Sequence, residues 1–105
     1  MIMSWEREFA NAFGSEKVEQ FVHIPFWARE RLARYILRGE YPGEALDHLL
    51  RGDLFAFCES ASAFDQIAIR KYVQFLKIAA PSECYGSDEA VYRWRLSGGA
   101  NGLPA

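Results

Sequence analysis

Prolines and glycines divide the segment from Ile24 to Leu54 into two helices, and this punctuation limits the possible folds more than any other feature of the chain. Pro25 suits the first turn of a helix, because the N–H that proline lacks would have no intrahelical partner there. Gly39 can adopt the left-handed conformation that often ends a helix. The sequence therefore predicts a first helix from about Pro25 to Arg38.

A second helix is predicted after Pro42 and Gly43, because this pair can restart a helix that then runs to Gly52. Asp53 can cap a further short helix through its side-chain oxygen. The residues of that helix expected to be buried are Leu54, Phe55, Phe57 and Cys58.

Helical periodicity continues on both sides of this pair. Trp5, Phe9 and Phe13 recur every four residues, which predicts an amphipathic helix, and Ser15 can cap a second short helix. These two helices are expected to form a lid that leads into the main helix. Near the other end of the chain, Ser87 is a good start for a last helix.

The longest helical pattern lies between Ala63 and Ala79 and is closed by Pro81. Its apolar positions cover about half of the helix circumference, whereas polar residues cover the opposite part. The apolar set is Phe64, Ala68, Tyr72, Phe75, Leu76 and Ala79. This pattern predicts one uninterrupted helix at the centre of the core.

The expected fold class is all-α. No segment shows the sustained apolar-polar alternation, bounded by tight turns, that is typical of a sheet. The 105 residues suffice for one domain with a substantial core. We expect a single compact domain of five or six short-to-medium helices over residues 1–97, followed by a flexible tail over residues 98–105.

Composition narrows the classes of partner. The net charge is −2, so the protein lacks the overall electrostatic attraction to phosphate on which nonspecific nucleic-acid binders rely. No window approaches the roughly 18 apolar residues of a membrane span, and the N-terminus does not resemble a signal peptide. A cytoplasmic protein without a membrane partner is expected.

The residue types that could carry catalysis are isolated. Cys58 and Cys84 form no CxxC motif, and we expect both to be reduced and mostly buried. His23 and His48 have no second group at a catalytic or metal-ligand spacing. The sequence therefore predicts no catalytic residue, no metal site and no cofactor.

A basic row on the main helix is the best candidate for a functional surface. Its members are Trp27, Arg31, Arg34 and Arg38. Arginine and tryptophan are enriched in binding hot spots, and a row of arginines can hold carboxylates or phosphates on a partner. Alternatively, the arginines pair with nearby glutamates on a solvated helix face. If the row is not the binding surface, the next candidates are the acidic residues Glu40, Glu44 and Asp47.

The two helices predicted on either side of Gly39 and Pro42 also resemble the arrangement of a helix-turn-helix DNA-binding motif. A recognition helix presents Arg, Lys, Asn or Gln to the bases. The second helix offers Glu44, Asp47 and His48, with Arg51 as its single permanent cation. Direct nucleic-acid binding is therefore retained as the less favoured hypothesis.

Two segments resemble a loosely defined group of small proteins encoded by tailed phages and prophages of Gram-negative bacteria. They are RYILRGEYPGEALDHLLRGDL at residues 34–54 and APSECYGSDEAVYRW at residues 80–94. The shared pattern, which spans about Ile24 to Trp94, begins with Ile-Pro, a Tyr-Ile helix that ends in Gly, a Pro-Gly restart and a Leu-x-x-Asp-Leu break. It continues with Ala-Pro, Cys, a Gly-Ser cap and a closing Trp. The present chain departs from it at Glu44, Ala45, Gly52 and Tyr85.

The resemblance implies a phage accessory protein that acts in the cytoplasm of a bacterial host. Small phage proteins without catalytic motifs often bind a host complex stoichiometrically and block it, as anti-CRISPR proteins do. The expected partner is then a host protein or a ribonucleoprotein complex, and the expected function is inhibition.

Overall fold

The computed structural model describes residues 4–102, which fold into nine α-helices and two 3-10 turns, with no strand among them. The helices are α1 Ser4–Phe13, α2 Ser15–Glu19, α3 Phe26–Arg38, α4 Glu44–Arg51, α5 Leu54–Ser60, α6 Ala63–Ile67, α7 Ile69–Ala79, α8 Asp88–Ser97 and α9 Gly99–Gly102. The 3-10 turns are Gln20–His23 and Ser82–Cys84. The all-α prediction is confirmed, but the predicted number of five or six helices is wrong.

The described residues form one compact unit. Their Cα radius of gyration is 12.9 Å, close to the roughly 13 Å expected for a folded domain of 100 residues. None of the helices within residues 4–102 is long and apolar enough to cross a membrane.

Local capping chemistry accounts for several helix ends. The main helix stops at Gly39, which has a φ of +72° and donates its N–H to the carbonyl of Tyr35. The side chain of Asp53 accepts the N–H of Ala56 at 3.0 Å and caps α5, as the sequence predicts. The side chain of Ser87 accepts the N–H of Ala90 at 3.1 Å and caps α8.

Helix α3 occupies the centre of the core, where the sequence pattern had placed the segment 63–79. Its buried residues are Ala28, Leu32, Ala33, Tyr35, Ile36 and Leu37. The predicted helix over 63–79 divides at Ala68, which has a φ of −83° and a ψ of +3° and shares its N–H between the carbonyls of Phe64 and Asp65. Only the second part, α7, enters the core, through Tyr72, Phe75, Leu76 and Ala79.

The predicted N-terminal lid corresponds to α1, α2 and the first 3-10 turn. Phe21 lies at the centre of its aromatic contacts, with ring centroids 4.9 Å from Trp5, 4.9 Å from Phe9 and 4.6 Å from Phe75. Aromatic pairs of this kind each stabilise by about 0.5–1.5 kcal/mol beyond the area that they bury. The lid is therefore part of the core. Ile24 then runs extended into α3, as its position before proline predicts.

The C-terminal part of the chain packs against the end of α3. The indole N–H of Trp94 donates to the carbonyls of Tyr35 at 3.0 Å and Ile36 at 3.2 Å, which lie in the last turns of that helix. The Tyr35 hydroxyl donates to the carbonyl of Cys84 at 2.6 Å. The bond from Trp94 to Ile36 reaches a carbonyl in the last turn of α3, and the three bonds together join the C-terminal part of the chain to the end of that helix.

Part of the range 98–105, for which the sequence predicts a flexible tail, is helical. Residues 99–102 form α9, in which Gly99 is buried against α3 and the amide of Asn101 donates to the carboxylate of Glu8. The pattern missed this helix because a Gly-Gly start signals a helix end. Residues 103–105 of the predicted tail, and residues 1–3 of the predicted domain, lie outside the described residues.

Helix α5 is less buried than its apolar sequence predicts. Phe57 is buried, whereas Leu54, Phe55 and Cys58 are exposed. The reason is that α5 lies at the edge of the fold and packs mainly on α4, so only one of its faces is covered. The prediction of two mostly buried cysteines is therefore wrong for Cys58 and confirmed for Cys84.

Candidate functional site

The outer face of α3 carries the arginine row, and carboxylates engage two of its three arginines. Arg34 lies 2.6 Å from Glu30 and 3.6 Å from Glu40. Arg38 lies 2.6 Å from Glu8 and 3.7 Å from Glu40. The arginine side chains of these pairs are 46% and 43% exposed, so each pair contributes at most about 1 kcal/mol to stability.

The pair between Arg38 and Glu8 joins α3 to α1. The hydrogen bond from Arg38 holds the pKa of the Glu8 carboxyl below its ordinary value, although burial opposes the shift. Glu8 is therefore ionised at neutral pH and also accepts from Asn101 of α9. One carboxylate thus connects three helices on this face.

Arg31 differs from the other two arginines. It is exposed and makes no ion pair with any residue from 4 to 102. Burial raises the pKa of the nearby Tyr72 hydroxyl, and the charge of Arg31 opposes that shift. Within the described chain, Arg31 is the member of the row whose charge is most available to a partner.

Trp27, at the head of the row, is held by hydrogen bonding and by an aromatic contact. Its indole N–H donates to Oδ1 of Asp65 at 2.8 Å, and the same oxygen accepts the hydroxyl of Tyr72 at 2.6 Å. Its ring meets the ring of Phe64 edge to face, with centroids 6.3 Å apart. The indole is 49% exposed, so it presents a fixed aromatic surface to solvent.

The predicted acidic edge does not form one surface. Glu40 lies between Arg34 and Arg38 and belongs to the arginine row. Glu44 is exposed at the start of α4. Asp47 is buried, and its Oδ2 accepts from Nε of Arg51 at 2.9 Å. Asp47 therefore does not share an exposed surface with Glu40 and Glu44.

A groove between α1, the first 3-10 turn and the start of α3 was not anticipated from the sequence. It has a volume of about 620 Å³. The apolar residues that line it are Trp5, Val18, Phe21, Val22, Phe26 and Trp27. Phe26 is 80% exposed and Val22 is 66% exposed, so the groove has exposed apolar walls above the buried ring of Phe21.

The apolar surface continues from the groove onto α6. Phe64, which contacts Trp27, is 72% exposed, and Ile67 on the next turn of the same helix is 82% exposed. Contiguous apolar surface of this kind on a folded domain often marks a binding site. We call the set Val22, Phe26, Trp27, Phe64 and Ile67 the aromatic face. One sequence signal could have indicated it: Phe26 lies off the apolar stripe that α3 turns towards the core.

Arg29 shapes the groove from within α3. Its Nε donates to the carbonyl of Ile24 at 3.1 Å and its Nη2 to the carbonyl of Val22 at 3.3 Å. Its guanidinium carbon also lies 5.8 Å from the centre of the Phe26 ring. The helical pattern offers no reason for a charge at this position, but the structure shows that Arg29 fixes the backbone and one wall of the groove.

No protein-family model, curated protein or solved structure matches this chain.

The remaining reactive residues do not assemble into a site within the described chain. Residues 4–102 contain no group of three His, Cys, Asp or Glu side chains placed to hold a metal ion. Burial raises the pKa of the Cys84 thiol to about 12, so this thiol is protonated at neutral pH. In α4, Arg51 is engaged by Asp47 at 2.9 Å and by Asp88 at 3.5 Å, which leaves that helix without an available arginine for DNA.

Proposed function

We propose that this protein is a non-catalytic binding protein of phage or prophage origin that inhibits a bacterial protein or ribonucleoprotein complex by stoichiometric contact, as anti-CRISPR proteins do. The observation that carries the proposal is the exposed aromatic face. The phage origin is supported by the resemblance of residues 34–54 and 80–94 to small phage proteins.

The physical basis is the combination of rigid aromatic anchors with an available cation. Asp65 holds Trp27 in one orientation, so little side-chain entropy is lost when a partner covers the indole. Arg31 lies one turn further along α3 and can pair with a carboxylate of the partner. Fully desolvated anchors of these residue types each contribute about 2 kcal/mol or more to binding. Arg34 and Arg38 would contribute less, because binding must compete with their intramolecular partners.

The test is affinity capture of partners from Gram-negative host extract, with identification of the recovered complex. Arg31→Glu should weaken capture by about 30-fold, the equivalent of about 2 kcal/mol. Arg31→Glu together with Arg34→Glu should abolish it without loss of helical content. Arg93→Glu is the matched control, because it makes the same charge change on the exposed face of α8.

Two outcomes would contradict the proposal. If the wild-type protein recovers no host protein or complex, the inhibitory function is wrong. If it recovers nucleic acid alone, with an affinity that falls steeply as salt rises, the helix-turn-helix alternative is favoured, because counterion release drives such binding. If the wild-type protein captures a host complex and the Arg31 and Arg34 variants capture it as well as the control does, the function stands. The arginine row is then not the binding site.

A further inference from the structure

We infer that the groove beside α3 binds a basic amphipathic segment of the partner, in which apolar anchor residues lie next to lysine or arginine. This inference rests on the proposed function and specifies the chemistry of the partner. It arises from the apolar lining of the groove together with the charges at its rim.

The floor of the groove is apolar and pre-formed. The ring of Phe21 is buried and held between Trp5 and Phe75 by aromatic contacts, so the floor does not have to rearrange when a ligand enters. Val22 and Phe26 also line the groove and remain largely exposed. A volume of about 620 Å³ lies within the range of roughly 300–1,000 Å³ that is typical of ligand sites. The groove can therefore bury large apolar side chains of a partner.

The charges around this apolar floor are mainly negative. Three glutamates and one arginine line the groove: Glu6, Glu19, Glu30 and Arg29. Neither Glu6 nor Glu19 makes an ion pair within the part of the chain that the structure describes. Charge complementarity across an interface therefore favours a partner segment that carries lysine or arginine, and it disfavours the phosphates of a nucleic acid.

Arg29 does not reverse this preference, because its donors are directed at the protein itself. Its bonds to the carbonyls of Ile24 and Val22 and its position over the Phe26 ring hold it against one wall. Glu30 shares its charge with Arg34 on the outer side of α3. The carboxylates of Glu6, which is half-buried, and of Glu19, which is exposed, are thus the groups available to a basic partner segment.

The test uses the intact protein and a defined probe. The probe is an amidated 14-residue peptide with leucines on one helical face and lysines on the other, and its matched counterpart carries glutamate in place of lysine. Binding is followed by the fluorescence of Trp5 and Trp27, since Trp94 is buried at a distance from the groove, and by calorimetry. The lysine peptide should bind with one-to-one stoichiometry, at least tenfold more tightly than the glutamate peptide at low salt.

Variants assign the binding to the groove. Phe26→Ala should weaken the lysine peptide at least tenfold, and the fold should persist because this ring is 80% exposed. Leu96→Ala, a change at an exposed apolar residue of α8, is the control and should have no effect. Glu6→Gln with Glu19→Gln should weaken binding several-fold and reduce its dependence on salt.

The inference is overturned if the two peptides bind equally, or if Phe26→Ala and Leu96→Ala have the same effect. These results are distinguishable from failure of the proposed function. Capture of a host complex that survives Phe26→Ala would leave the function standing and remove the groove from it. Specific peptide binding by a protein that captures no host complex would support the groove chemistry and refute the inhibitory function.

Discussion

Gly99 permits the C-terminal helix α9 to pack directly on the end of α3, and its replacement by alanine should separate the two. Gly99 has a φ of +73°, and a Cβ atom built there would lie 2.5 Å from the backbone nitrogens of Arg38 and Gly39 and 2.7 Å from the carbonyl carbon of Leu37. These are all backbone atoms of the well-packed end of α3. The clash between an alanine Cβ and this backbone can therefore be relieved only if α9 moves away from α3.

The expected cost combines two effects. A residue with a side chain in the left-handed region costs about 1–2 kcal/mol relative to glycine, and overpacking of a rigid contact costs about 1–3 kcal/mol. Gly99→Ala should therefore lower the free energy of unfolding by about 2–5 kcal/mol, a large part of the typical 5–15 kcal/mol of a small domain.

Gly98→Ala is the matched control. Gly98 also has a left-handed φ, of +84°, but a Cβ atom there would meet only Cα of Gly102, at the ordinary contact distance of 3.5 Å. The control should therefore cost only the conformational term of about 1–2 kcal/mol. The difference between the two variants isolates the contact between α9 and α3.

Urea unfolding followed by circular dichroism at 222 nm measures both variants, with the free energy extrapolated linearly to water. A difference of 1 kcal/mol corresponds to about 4–8 °C in Tm for a domain of this size, so thermal scans provide a second readout. Equal losses for Gly98→Ala and Gly99→Ala would refute the packing of α9 on α3. That result would support the flexible tail that the sequence predicts, at residues 99–102.

Three further predictions test the core, the buried thiol and the ion pair between α1 and α3. Phe75→Ala should lower the free energy of unfolding in urea by about 3–5 kcal/mol because the ring is buried. Phe64→Ala should change it by less than about 0.5 kcal/mol because that ring is exposed. Similar costs for the two variants would contradict the division of the predicted helix. Iodoacetamide should modify one cysteine per native chain and two in urea, because Cys84 is buried and the other thiol is exposed. Mass spectrometry counts the modifications. Two modifications in the native state would show that the core around Cys84 opens. The pKa of Glu8 is lowered in the folded state, so its pair with Arg38 stabilises the fold fully above the ordinary pKa of 4.5, and this stabilisation is lost as the pH falls below that value. Arg38→Gln should therefore lower the free energy of unfolding at pH 7 and lower it progressively less towards pH 3. A cost that does not depend on pH would contradict the role of this ion pair.

Local chemistry made several helix ends predictable from the sequence. The stops and caps at Gly39, Asp53 and Ser87 depend on hydrogen bonds that span at most four residues, so the sequence holds all the information that they require. The inward stripe of α3 follows in the same way from its periodicity. The exposed positions of Arg31 and Trp27 could be read from that stripe, because they lie off it.

Other features depended on partners that lie far away in the sequence. The break at Ala68 contains neither glycine nor proline, yet it turns α6 so that Asp65 reaches the indole of Trp27, 38 residues away in the chain. The break at Ala68 also leaves Phe64 exposed, although the spacing of Phe64 in the sequence matches the buried residues of α7. The sequence could predict the local pair between Arg34 and Glu30, but it could not predict the pair between Arg38 and Glu8, which lie 30 residues apart.

The sequence by itself determined that this chain is helical, where many of its helices end and which face of α3 turns inward. These properties arise from interactions within one or two helical turns. Only the tertiary structure decided which aromatic side chains remain exposed, how a groove forms beside Phe26, and that residues 99–102 pack on α3. These outcomes depend on the burial that all helices achieve together, and a periodic pattern cannot distinguish an apolar side chain covered by another helix from one left open to a partner.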